Sequence, residues 1–597
     1  MLRCRAVQGR SAERSLARRL DARAARLLDG RLGPALAWVA SCAVLLVLYA
    51  PALRGEFVSD DYGFVVNNPW VREPSFERVL EILDPWGDAA EFAANWAPVH
   101  LLLHAAQWRL FGADVVGYHV TNAALHALVS VLLVACYRRA GIPALAAALG
   151  GAFFLLHPAN VEAVAWISEV KTLAAMALAL AALLWQDRRP ALAALCFAGA
   201  LLSKALAVFA LPVALTALWV RPAARPAARR DWAWMGVWLA IFAFYAGPQW
   251  HVFQRLGETE IALHPDAAVA ARTVVSFVAR YLAMALAGWG LSAFHDPPRA
   301  VSWLDPWWLA GLAALLLFGA RAAYTAARRR PEAVYWAWAL GGWIPIAQLF
   351  VFTYPLGDRY LYVPLPGLVG AGLLAGCGAL AALRARAAAR AHGPAAAGAP
   401  APAAAVRASP EAAGACEATA PAGLPGRLPD ALLAAALLWI AALAAAVPSR
   451  AAIWRAEPLL LLDSVRHYPD GIQAHLTRAM RAGEAGDAEA AAAALSRARE
   501  KGYDQFMALD LVGSFEPIRR DPRFLAAKAD LAGLWLARHA RRSDPNQLEL
   551  RVAAMAHLAR GERDEALRAL EAARAEGGPL QADVEQRLAR LRRELGR

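Results

Sequence analysis

The chain has 597 residues, 59% of them hydrophobic, with a formal net charge of +13 and a positive mean hydropathy. So apolar a composition excludes an ordinary soluble multidomain enzyme, and the charge, almost all arginine, gathers in the N-terminal segment and in short stretches between apolar blocks. That is the positive-inside pattern of membrane topology and argues against a nucleic-acid surface.

The apolar blocks run from 34 to 447 and are each about 15 to 22 residues long, enough to cross a hydrocarbon core of about 30 Å. Nine arginines precede Pro34, so residues 1–33 are placed as a cytoplasmic tail. The first block, 34–53, is read as a retained signal anchor, since no small-residue cleavage site follows a short apolar core. It delivers the loop 54–98, with "EFVSDDYGFVVNNPW" at its start, to the opposite side. The Arg/Ala bias suggests a GC-rich bacterial genome, which makes that side the periplasm and the membrane the inner one.

Span 117–137 returns the chain to Arg138 and Arg139. Spans 142–156 and 172–185 form a pair whose outer turn is "HPANVEAVAWISEVK", and 190–220 is a short pair turning at Ser203 and Lys204. Span 232–249 exits. The segment 271–293 is expected as a re-entrant or surface-lying helix, because a full crossing would put the arginines at 327–330 outside. Spans 303–320, 334–352 and 361–383 follow, with "YPLGDRYLY" on the outer surface. An Ala/Pro-rich linker, 384–429, reads as disordered, and a last span, 430–447, sends 450–597 to the periplasm. The expected fold is therefore all-α: about eleven transmembrane helices within 34–383 and 430–447, then a helical repeat domain.

Every polar motif falls on one face. It gathers Asp60, Asp61, His157, Glu162, Glu169, Lys171, Lys204, Asp358, Arg359 and Tyr360, and two of only four lysines in the chain are among them. Ionisable groups at membrane depth are functional candidates. Cations suit a lipid-borne phosphate, and a carboxylate suits proton removal from an attacking hydroxyl. Plainer readings stand beside these. Asp60–Asp61 suits a turn or helix N-cap, and His157–Pro158 a helix-ending turn. Glu162 suits a solvated face, and Lys204 a snorkelling cation. Asp358 and Arg359 suit an ion pair with each other, Tyr360 and Tyr362 an aromatic belt, and His119, Asn122 and His126 helix-bridging hydrogen bonds. The six cysteines show no metal-ligand spacing and none lies in 54–98 or after 450, so neither a zinc site nor a disulfide framework is indicated.

In order, "FVSDDYGFVVNN", "GYHVTNAALHALV", "LLHPANVEAVAWISEVKTL", "LLSK" and "DRYLYVPLPGL" resemble the motifs of GT-C membrane glycosyltransferases. The type is that of the transmembrane-and-TPR-containing O-mannosyltransferases (TMTC). The resemblance implies inverting transfer of a mannose-like sugar from a polyprenyl-phosphate donor to protein Ser/Thr hydroxyls. It implies Asp60 or Asp61 as base, and the cations Lys204, Arg359 and Lys171 are the expected donor-phosphate contacts on the physical reading above. His157, Glu162, Glu169, Asp358 and Tyr360 remain further site candidates. No cofactor is assigned beyond the lipid-linked sugar donor, and a divalent metal is left open, since some GT-C enzymes use one and others do not. Two positions depart from the pattern: Ala97 in "WAPVH", where Arg-Pro is usual, and Thr172, where an acidic residue is common.

In the tail, "AGEAGDAEAAAAALSRA" and "LARGERDEALRALEAA" superpose, with Gly486 on Gly561, Ala491 on Ala566, Leu495 on Leu570 and Ala498 on Ala573. That register suits tetratricopeptide-like repeats, which hold extended peptides on a concave face, and so an acceptor or partner protein. The alternative is a non-catalytic membrane scaffold presenting such repeats. A transporter is disfavoured, since charges collect at one face and not at the midplane.

Overall fold

A computed structural model describes residues 16–221, 227–256, 264, 266–348, 355–392, 428–539, 545–578 and 580–597. Among them every regular element is helical. The membrane half comprises α1 (Leu16–Leu28), α2 (Gly33–Leu48), α3 (Phe76–Leu83), α4 (Pro98–Phe111), α5 (Val115–Arg139), α6 (Ala144–Leu155), α7 (Val170–Trp185), α8 (Pro190–Ser203), α9 (Ala210–Trp219), α10 (Arg229–Leu256), α11 (Ala267–Ala287), α12 (Pro306–Ala327), α13 (Glu332–Trp343), α14 (Pro364–His392) and α15 (Leu428–Ile453). The tail adds α16 (Glu457–His467), α17 (Ile472–Glu484), α18 (Ala488–Glu500), α19 (Pro522–His539), α20 (Gln547–Ala559), α21 (Arg563–Glu576) and α22 (Gln581–Leu595).

Six helices among the described residues are long and apolar enough to cross a membrane, or up to eight if two bent pairs are each one span. This is a multi-pass membrane protein. Local chemistry sets the helix ends. Asp114 caps α5 by accepting from the Val116 amide at 3.1 Å, and Arg138 and Arg139 close its last turn. Asp266 caps α11, and Asp305, followed by Pro306, starts α12.

One end of the bundle collects the basic stretches. Arg139 and Arg221 both reach Asp187, Arg221 also reaches Asp231 at 2.6 Å, and Arg329 lies over the Trp219 ring. The motif residues lie at the other end of α5 and α7.

Three expectations change. Residues 16–28 are not a plain tail: they form an Arg-rich amphipathic helix bent 104° from α2. Its Asp21 accepts from the Leu145 amide at the start of α6. The segment 271–293, expected as a re-entrant or surface-lying helix, contains one unbroken helix of 21 residues, α11, that is long and apolar enough to cross a membrane. The linker begins later than 384, since α14 continues to His392; residues 393–427 lie outside those described, as do 349–354 of the "YPLGDRYLY" region and its preceding span, and most of the polar loop after α10.

The external loop 54–98 folds as a cap with its own core: Val65, Trp70, Val71, Ile82 and Ala89 pack with Leu101, Tyr118 and Ile167. In the tail the superposed positions prove equivalent. Gly486 and Gly561 both turn the chain at positive φ (74° and 79°), and the matched alanines and leucines on α18 and α21 are fully buried.

Helix α14 crosses α13 at glycine. A Cβ at Gly367 would come within 2.8 Å of the Tyr335 carbonyl oxygen, whereas one at Gly372 would meet nothing within 4 Å. Gly367→Leu is therefore expected to destabilise the detergent-solubilised protein by about 1–3 kcal/mol or more, seen as a lowered Tm. Gly372→Leu should leave Tm within error.

Candidate active site

The first loop reverses at Ser59, a non-glycine residue at φ 52°. This turn gives two adjacent carboxylates different fates. Asp61 is fully buried: one oxygen accepts from the Val58 amide at 3.0 Å, the other from the Ser168 amide at 2.8 Å and from the Ser168 hydroxyl. Asp60 is exposed, and its carboxylate makes no hydrogen bond or ion pair among the described residues. The N-cap alternative fits neither carboxylate, since neither caps the turn that follows. Burial pushes the Asp61 pKa up to about 7, and the hydrogen bonds from Ser168 and Val58 hold it from rising further.

Beneath the loop, residues 158–169 are almost wholly buried short helical turns. The solvated-face reading of Glu162 fails: it is 1% exposed and pairs with Arg359 at 2.5 Å, while its other oxygen accepts from the Arg359 amide at 2.7 Å. Glu169, equally buried, accepts from Lys204 at 2.9 Å, and Arg359 stands 3.8 Å from it. Thr172 completes this group, giving its hydroxyl to Glu169 and accepting from Lys204 at 2.7 Å. The departure at position 172 thus supplies a neutral hydroxyl between a carboxylate and an ammonium. Lys204 stands where the backbone leaves helical geometry between α8 and the turn that leads into α9, so it does not snorkel from a helix face.

Arg359 is also held by rings. Its guanidinium lies 5.1 Å from the Trp166 centroid and 4.7 Å from that of Tyr360. Lys171 has no ion-pair partner among the described residues; its ammonium rests 4.3 Å from the Phe64 centroid, in the loop of Asp60. The group therefore holds three cations against two buried carboxylates, and the loop that carries Asp60 is fixed beside it, through Asp61 to Ser168 and through Phe64 to Lys171.

Other candidates go elsewhere. Asp358 does not pair with Arg359: it accepts from His295 at 2.7 Å and Arg450 at 3.2 Å, in a seam with the tail. His157 spends both ring nitrogens on backbone, at Ala159 and Ala285, as a helix-ending turn would. Tyr360 and Tyr362 are buried, which rules out a lipid-facing belt, and the Tyr362 hydroxyl meets His126 at 2.8 Å. Asn122 and His126 do bridge to neighbouring backbone; His119 is buried without a hydrogen-bond partner.

Sequence reasoning missed Ser168, His100 and His104. The last two are buried beside Phe64 and the cations, with their Nε2 atoms unpartnered. The "WAPVH" stretch carried a signal for His100, since a histidine in an apolar run at a loop end is rarely neutral to function or packing. Among the described residues no group of three or more His, Cys, Asp or Glu is arranged to hold a metal ion.

Part of the chain is similar to curated proteins named as protein O-mannosyl-transferases. It is 34% identical over 137 residues to TMTC1 of Mus musculus, 33% over 135 residues to Tmtc1 of Drosophila melanogaster, and 28% over 141 residues to TMTC4 of Homo sapiens. These stretches are 21–22% of this chain and 14–19% of those proteins, so the match spans under a fifth of the relatives' length. No family model and no solved structure matches.

The raised Asp61 pKa has a stability consequence. In the folded chain the carboxyl keeps its proton up to about pH 7, whereas unfolded it loses it near 3.8. The stability it contributes is full below the unfolded value and is lost as pH rises through the folded one. The Tm of the wild type should therefore fall relative to that of Asp61→Asn between about pH 4 and pH 7. Parallel curves for the two proteins would contradict the assignment.

Proposed function

We propose that this protein is a membrane glycosyltransferase that moves a mannose-like sugar from a polyprenyl phosphate to Ser/Thr hydroxyls of proteins outside the cytoplasm of a bacterium. The observation that carries the reading is the surplus of cations next to the loop of an exposed carboxylate: Lys171, Lys204 and Arg359 face two paired glutamates, and the loop of Asp60 is fixed to Ser168, one residue from Glu169. The partial similarity to named O-mannosyl-transferases supports the same class.

Asp60 takes the proton of the acceptor hydroxyl, and the oxygen attacks the anomeric carbon. The bond from that carbon to the phosphate oxygen breaks, and its electron pair leaves with the lipid phosphate. The configuration inverts. Lys171, the cation without an ion pair, meets the developing phosphate charge, with Lys204 and Arg359 behind it. Preorganised cations that exist before the charge forms need no rearrangement at the moment of reaction. Asp61 positions the loop and does not touch the sugar. The helical hairpins of the tail, read as tetratricopeptide-like repeats, present the acceptor.

Asp60→Asn should lower transfer by about 10²–10⁴-fold, the usual weight of a positioned base, with Tm unchanged. The readout is intact mass of periplasmic proteins from a deletion strain complemented with each form. Unchanged glycans in the deletion strain itself would favour the alternative, a non-catalytic scaffold.

A further inference from the structure

A cavity lies apart from the Asp60 cluster, where the C-terminal half of α11, the Gly288–Leu291 turn, the start of α12, the end of α15 and α16 meet. Its volume is about 520 Å³, and none of Asp60, Lys171, Lys204 and Arg359 lines it. Among its lining residues are Arg280, Arg450 and Arg466, with one carboxylate, Asp463.

That carboxylate is already engaged. Asp463 accepts from Arg450 at 2.8 Å and from the Ala293 amide at 2.9 Å, and Arg450 gives its other terminal nitrogen to Asp358. His467 at the same wall is turned to the Asp463 backbone carbonyl at 2.9 Å. Arg280 and Arg466 have no ion-pair partner among the described residues. The Nε atoms of Arg280 and Arg450 are both buried and lack an acceptor among the described residues. A buried donor without a partner is costly, and both belong to side chains that line the cavity.

Aromatic packing fixes the site. The Arg280 guanidinium lies 4.6 Å from the centroid of Trp307, whose ring stacks on Trp289 at 5.7 Å and 11°. Trp289 and neighbouring Leu286 are about 60% exposed, so apolar surface adjoins the cation-lined floor. Guanidinium forks match phosphate oxygens in geometry and charge.

We propose that this cavity is a second anion site that takes a phosphate ester, with Arg280 and Arg466 as its free donors and the Trp289–Trp307 pair as its wall. The inference stands independently of the transferase reading, since it uses none of that site's residues. The shared chemistry is a phosphate group, supplied either by a lipid headgroup or by a soluble phosphate.

The test uses the full-length protein. In one arm it is reconstituted in nanodiscs of phosphatidylcholine with a minor share of phosphatidylglycerol, and retained phosphatidylglycerol is counted by native mass spectrometry. In the other, detergent-purified protein is titrated with inorganic phosphate by calorimetry. Arg280→Gln/Arg466→Gln should weaken binding in whichever arm the wild type binds by about tenfold or more, the weight of lost charge-assisted hydrogen bonds. Arg466→Gln alone, at an exposed position that cannot disturb folding, should weaken it in the same direction, and Arg523→Gln on α19 should not. Lipid retention with no phosphate heat assigns a headgroup, and heat without lipid retention assigns a soluble ligand; either supports the site. Binding in neither arm, or binding unchanged by the double variant, overturns it.

Discussion

Buried charge in apolar surroundings is the constraint around which the membrane half is built. An ionised side chain there is costly unless it is paired and hydrogen-bonded. Glu162 and Glu169 lie in a segment whose neighbours are mostly Ala, Val, Ile and Trp, and their charged partners, Lys204 and Arg359, come from distant chain positions, with Thr172 one turn away from Glu169. Meeting them requires the chain to leave helical geometry at defined places, before Val170, at Lys204 and at Gly357. Each break frees carbonyls that lipid cannot satisfy. Polar residues of α5 and the segment itself do so: Asn122 donates to the carbonyls of Val164 and Trp166, His126 meets that of Leu155, and Asn160 donates to that of Phe154. The helix-bridging residues and the charge cluster are therefore one solution to one electrostatic problem.

The same logic joins the tail to the membrane half. Asp358 and Arg359 are consecutive on a short helical turn and serve opposite neighbours, the seam in one direction and Glu162 in the other. His295 bridges Asp358 and the Tyr468 hydroxyl, and Asp296 accepts from the Ile472 amide. The first loop is pinned as well, since Glu56 donates its amide to the Arg455 carbonyl and Ser59 to the Glu457 carboxylate. The helices of the tail are thus not hung from a tether. They are anchored to both strands of backbone that carry the candidate residues.

What could be read from the chain, and what could not, divides along the range of the physics. Helix blocks and the alternation of arginines are local signals, so α5 to α9 fall close to their expected bounds, and the turn at Lys204 stands where expected. Partnerships are not local. Ser168 lies 107 residues from Asp61, and no property of "ISEVK" alone marks that serine over any other. In so Arg-rich a chain, nothing but its place at the end of the last span sets Arg450 apart, yet it holds two carboxylates. Residues 16–28 were misleading for a related reason: arginines at helical spacing read as a solvated tail until Asp21 and Asp29 are seen reaching α6 and Arg138.

Asp60 and Asp61 show why composition could name a pair but not divide its labour. Their side chains are identical and their positions adjacent; only the backbone reversal at Ser59 separates them. A base must reach its substrate and exchange a proton with it, so a carboxylate enclosed by three donors is poorly suited, however close it lies. Such a carboxylate is well suited to holding distances. Asp61 binds the loop to Ser168, one residue from Glu169, on which Lys204 and Arg359 converge. On the proposed reading, the separation between the base and the phosphate cations is then set by this buried anchor and not by the stiffness of the loop. The two aspartates act as a pair because the hidden one gives the exposed one an address.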